Sequence, residues 1–94
     1  MEAELWERQT GVPVGTVSLR AGELTVDVAD SAHRVLVERA METGDITFAY
    51  VGYGEELTEA KVKRLTPRWL AVVVLQVLSP EGYGWNFTET DDDL

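Results

Sequence analysis

Gly15-Thr16-Val17-Ser18-Leu19-Arg20 and Glu23-Leu24-Thr25-Val26-Asp27-Val28, joined through Ala21-Gly22, alternate polar with apolar residues. A period of two sends successive side chains to opposite faces of a strand, so this pattern predicts a β-hairpin with one buried and one wet face. The short glycine-containing link suits a tight hairpin turn. Val17, Leu19, Leu24, Val26 and Val28 are expected inside; Thr16, Ser18, Arg20, Glu23, Thr25 and Asp27 are expected in water.

Downstream, Asp30-Ser31 supplies an N-cap, and Ala32 to Glu42 reads as a helix ended by Gly44. Ala32, Val35, Leu36 and Ala40 recur at helical spacing and form its expected inner face. Asp45–Val51 is rich in β-branched and aromatic residues and reads as a strand, broken by Gly52 and Gly54. Thr58 is placed as the cap of a short helix over Glu59–Leu65. Thr66-Pro67 pairs an N-cap with a proline at the first helical position, which favours a helix over Pro67–Leu78; a strand buried on both faces is the alternative. Ser79–Gly82 is a turn, and Tyr83–Thr88 a last short strand. Upstream of the hairpin, residues 2–9 read as a short helix stopped near Gly11 and Pro13, or as a terminal arm. The expected architecture is one α+β domain over residues 1–88, with an antiparallel sheet (hairpin 15–28 plus strand 45–51) packed on two or three helices. Residues 89–94 form an acidic tail.

The chain has 94 residues, 45% of them hydrophobic and 27% charged, the composition of a folded domain with one modest core. Cys is absent, which excludes disulfides, thiolate metal sites and thiol catalysis; a single His excludes a histidine metal cluster. Neither metal nor cofactor is expected. Oligomerisation or docking is then the remaining way to staple so small a core. A formal charge of −9 argues against direct nucleic-acid binding. The acidic N-terminus lacks the pattern of a secretory leader, and the apolar run Trp69–Leu78 is about half the length of a membrane span. A cytoplasmic location, or a place in a particle assembled there, is the expectation.

Charge is distributed unevenly. Between Ala60 and Pro80 there is no acid, although the chain holds 17, and the window carries Lys61, Lys63, Arg64 and Arg68. These cations, with Trp69 after them, are candidates for docking on an acidic surface. Asp91, Asp92 and Asp93 in the tail of another copy are one such surface. Tyr83 and Trp85, flanked by glycine, are candidate interface anchors. His33, the only conventional general base, has Ser31 and Asp30 nearby, but capping accounts for both, and it reads as a surface histidine. Glu55, Glu56 and Glu59 fall in the first turn of the helix expected there, where the dipole favours acids. No phosphate-binding loop or exposed-serine elbow is present.

The segment from Gly15-Thr16-Val17-Ser18-Leu19 through Gly22-Glu23-Leu24-Thr25-Val26 resembles the opening hairpin of small uncharacterised proteins of actinobacterial genomes and their tailed phages. Leu65-Thr66-Pro67 is a counterpart of the Leu-Thr-Pro type turn found in that group, whereas the Trp69–Leu78 run departs from it. The resemblance implies a phage-associated protein and carries over no functional residue. The resulting expectation is a non-enzymatic structural or assembly protein, a minor phage-particle component acting through protein contacts or self-association. The alternative is an acidic nucleic-acid mimic that inhibits a host nuclease.

Overall fold

The computed structural model describes residues 1–50 and 58–89. Six strands and two helices follow in the order β1 (Glu2–Glu7), β2 (Pro13–Arg20), β3 (Glu23–Val28), α1 (Ser31–Met41), β4 (Ile46–Tyr50), β5 (Thr58–Val62), α2 (Pro67–Val73) and β6 (Tyr83–Glu89). The fold is α+β, with a four-stranded antiparallel sheet in the order β3-β2-β1-β6 and a separate two-stranded sheet, β4-β5.

The hairpin forms as its alternation requires. Arg20 pairs with Glu23, and the linking Ala21 and Gly22 both have positive φ, +52° and +77°. That is the backbone of a primed two-residue turn, whose twist matches that of the flanking strands. Val17, Leu19 and Val28 are buried, and Leu24 and Val26 half-buried. Ser18 departs from the expectation of a wet face: it is 7% exposed, held between its cross-strand neighbours Glu2 and Thr25. Gly15 faces Val28, and a Cβ there would meet the backbone carbonyl of Asp27.

Two predicted helices are strands, and the reason is the same in both. Residues 2–7 pair with β2 on one side and β6 on the other, making β1 an inner strand. Glu, Ala and Leu are good helix formers, yet Ala3 and Leu5 are buried while Glu4 is exposed, a two-residue period. Residues 58–62 are likewise β5, with Val62 buried between exposed Lys61 and Lys63, and pair with β4. Hence Glu59 lies on a strand and has no helix dipole to answer; Glu55 and Glu56 are outside the described residues. The strand at 46–50 does not join the hairpin's sheet, whose remaining places are taken by β1 and β6.

The Pro67–Leu78 segment is helical. The Thr66 side chain accepts from the Trp69 N–H at 3.2 Å, and Pro67 opens α2. Beyond Val73 the helix widens into a π turn (Val74–Leu78), where the Ser79 N–H donates to Val74 O, then tightens into a 3-10 turn (Ser79–Glu81). Gly82 ends it in the left-handed region at φ +97°. Trp69, Leu70, Val73, Val74 and Leu78 are fully buried or nearly so, against Ala3, Leu5 and Val17 of the sheet in one core.

α1 keeps its Asp30 cap but presents a different face from the expected one. Val37, Ala40 and Met41 are buried with His33 partly so, whereas Val35 is 51% and Leu36 41% exposed. No helix among the described residues is long and apolar enough to cross a membrane.

Candidate functional site

Of the four expected docking cations, Arg64 is tied into the fold. Its guanidinium donates to the Met41 carbonyl at the end of α1 (3.0 Å) and lies over the Trp69 ring, 5.9 Å from the centroid. A cation at a helix C-terminus and over an aromatic face is favoured twice, by the dipole and by the ring quadrupole. Lys61 and Lys63 project together from the exposed side of β5, and Arg68 is exposed in the first turn of α2. The basic cluster is therefore divided among a structural tie, a pair of surface lysines on β5 and Arg68 on α2. Trp69 is not available as an anchor: it is fully buried, with its indole N–H donating to Gly44 O at 3.1 Å. Asp91, Asp92 and Asp93 lie outside the described residues.

Tyr83 is also internal, at 3% exposure, and it explains His33. The phenol oxygen lies 2.8 Å from His33 Nδ1, while His33 Nε2 lies 3.3 Å from Glu7 Oε1. Burial pushes the Tyr83 phenol above its usual value, and the carboxylates of Glu7, Glu81 and Asp30 push the same way. The hydroxyl thus stays protonated at neutral pH. It shares one hydrogen bond with Nδ1, and the other ring nitrogen faces the Glu7 carboxylate. Glu7 and Tyr83 are paired across β1 and β6, so the chain ties the first turn of α1 to two strands. His33 is half-buried with two partners, not the surface residue its position suggested. Nothing in the sequence marks this trio, since 26 and 50 positions separate its members. Asp30, capping α1, accepts from the His33 and Ala32 N–H groups; the first of these bonds does most to hold its carboxyl below the usual value.

The trio lines a cleft of about 420 Å³ with Arg8, Leu36 and Glu81. Arg8 closes its floor, donating to Ser79 O, Ser79 Oγ and Tyr83 O at 2.7–2.8 Å. Glu7, Arg8, Thr10, His33 and Tyr83 are each bonded within the fold, and Gln9 and Glu81 line the cleft beside them. The arrangement fixes the junction of helix and sheet.

The least occupied feature is β6, at the end of the sheet. Its register with β1 (Ala3↔Phe87, Leu5↔Trp85, Glu7↔Tyr83) puts Tyr83, Trp85 and Phe87 on the helix-bearing side. Trp85 and Phe87 are each half-buried, with ring centroids 4.9 Å apart. On the opposite face Asn86 and Thr88 are exposed, and the Trp6 indole lies so close over Gly84 that no Cβ fits there. Among the described residues no strand pairs with the outer edge of β6. Trp85, singled out by sequence, is the candidate anchor that the fold leaves accessible. Comparisons with protein-family models, curated proteins and solved structures give no match.

Proposed function

We propose that this protein is a non-enzymatic assembly component that acts through protein–protein contacts, with the edge of β6 as its contact surface. The observation that carries the reading is the chemistry of that edge. Tyr83-Gly84-Trp85-Asn86-Phe87-Thr88 holds no charge and no proline, in a chain where 27% of residues are charged. An edge strand exposes a row of backbone donors and acceptors, and monomeric proteins usually blunt it with lysine, proline, a bulge or a cover. Here the register with β1 shifts at Thr88, near the end of β6, and the open edge before it carries two adjacent aromatic side chains, the residue types that dominate contact energies. The resemblance of the hairpin to proteins of tailed phages makes a minor particle component the natural setting.

The second reading, an acidic nucleic-acid mimic, is favoured by the other face of the sheet. Glu4, Glu23 and Asp27 are exposed there, with Glu2 half-buried between Arg20 and Thr88. One experiment separates the two. A photo-reactive residue is placed in cells at Asn86 on β6 or at Thr25 on β3, both exposed on the same face. Protein adducts from position 86 alone are the expected result. Adducts from both positions equally favour the mimic, and none at 86 refutes β6 as the contact edge.

A further inference from the structure

We infer that β6 pairs with the β6 of a second copy, antiparallel about a two-fold axis through Asn86, joining two four-stranded sheets into one of eight strands. The inference rests on the reading of β6 as the contact edge, and names the partner.

The first ground is the contrast between the two edges of the sheet. β3 carries Glu23 and Asp27, and self-pairing centred on Thr25 sets these carboxylates against each other. β6 has one charge in seven residues, Glu89, at its very end.

The second ground is that the strand is complementary to itself. With Asn86 on the axis, Trp85 of one copy faces Phe87 of the other, and Phe87 faces Trp85. Gly84 meets Thr88, where β6 shifts its register against β1, and Tyr83 meets Glu89 beyond it. Directly opposed residues share a face of the sheet. An axis perpendicular to the sheet keeps both helix layers on one side, which brings the two Trp85–Phe87 pairs into a single four-ring cluster. Moving the axis by one residue to Trp85 or Phe87 leaves two residues of each strand unpaired; on Phe87 it also sets Trp85 against Glu89.

The third ground is charge. Antiparallel pairing carries the Glu89 end of one strand to the Tyr83 end of the other, where Arg8 donates to the Tyr83 carbonyl. Opposite charges are thereby placed together twice by one symmetry operation.

The test uses the exposed Asn86, whose replacement disturbs no recorded contact of the fold. Opposed residues in an antiparallel pair have Cα atoms about 4.5–5.5 Å apart, within the range of a disulfide. The chain has no cysteine, so Asn86→Cys introduces a unique thiol at the axis. Under mild oxidation it should form a covalent dimer. Thr88→Cys, whose copies are about 14 Å apart in this register, should not. In sedimentation equilibrium the intact protein should run at twice the chain mass. Asn86→Lys opposes two ammonium groups at the axis and should weaken the dimer by about tenfold. An equal mixture of Asn86→Lys and Asn86→Glu should restore it. Equal cross-linking at 86 and 88, or a dimer indifferent to Asn86→Lys, overturns the pairing. A monomer up to millimolar concentration overturns it as well, and leaves β6 as a contact edge for a different protein, a reading decided by the photo-cross-link at position 86.

Discussion

Replacing Arg64 by alanine should destabilise the fold by about 2 kcal/mol, although the residue is solvent-exposed and belongs to a run of cations. Three contributions make up this figure. The guanidinium bond to the Met41 carbonyl at 3.0 Å is a charge-assisted hydrogen bond at the edge of the solvent, worth about 1 kcal/mol or slightly more. Its charge stands at the C-terminal end of α1, worth a further ~0.5 kcal/mol, part of which is already counted in the bond. Stacking over Trp69, with the guanidinium carbon 5.9 Å from the centroid, adds ~0.5–1 kcal/mol. Arg64→Lys keeps the charge without the planar fork, and should fall about halfway. Lys61→Ala and Lys63→Ala, on the exposed side of β5, should stay within about 0.5 kcal/mol of the parent. Urea unfolding followed by far-UV circular dichroism measures all four. With a slope near 1 kcal/mol per molar for a domain of this size, Arg64→Ala should move the midpoint by roughly 2 M. If Arg64→Ala and Lys61→Ala have the same midpoint, Arg64 is a solvated cation and the tie from β5 to α1 and α2 contributes nothing.

Gly15→Ala should cost at least about 2 kcal/mol. The new methyl meets the Asp27 carbonyl and comes within 3.0 Å of Val28 Cα, both backbone, and φ is +155°. Thermal melting checks this, and a loss of only a few degrees would contradict it. Tyr83→Phe should cost about 1 kcal/mol at pH 7, since His33 Nδ1 loses its partner. The pH dependence follows from the raised phenol: stabilisation by the protonated Tyr83 is full below its unfolded value near 10, and is lost as the pH rises through the higher folded value. The gap between parent and Tyr83→Phe should therefore narrow above pH 10 and be flat between pH 7 and 9, as read from urea midpoints.

Where local rules and tertiary context agree, the fold is legible from sequence. The 15–28 hairpin follows from alternation and a turn, α1 from Asp30, and α2 from Thr66-Pro67. Both misread strands are made of helix-favouring Glu, Ala, Leu and Lys, and only pairing partners distant in sequence hold them extended. The inner face of α1 was misjudged because hydrophobicity points to Val35 and Leu36. The helix is instead rotated so that polar His33 faces in, a burial that Tyr83 and Glu7 make tolerable and that no local pattern shows. The candidate site follows the same division. Trp85 was visible as an aromatic in a glycine-flanked segment, but that β6 is an edge is a property of strand order. The charge window at 60–80 grouped Arg64 with three other cations, and no local pattern marked its bond to the Met41 carbonyl.

The place of β1 between β2 and β6 also sets the order in which the sheet can assemble. Leu5 pairs with Gly15 on one side and Trp85 on the other, partners 10 and 80 residues away. An eightfold longer loop costs about 2 kcal/mol more to close, so the three-stranded β3-β2-β1 unit forms first. Until β6 arrives, the temporary outer edge is β1, with Ala3 and Leu5 uncovered. During synthesis this edge has to wait for most of the chain to leave the ribosome. The last strand added both shields β1 and becomes the new boundary, and any nascent chain that loses β6 presents Leu5 in its place.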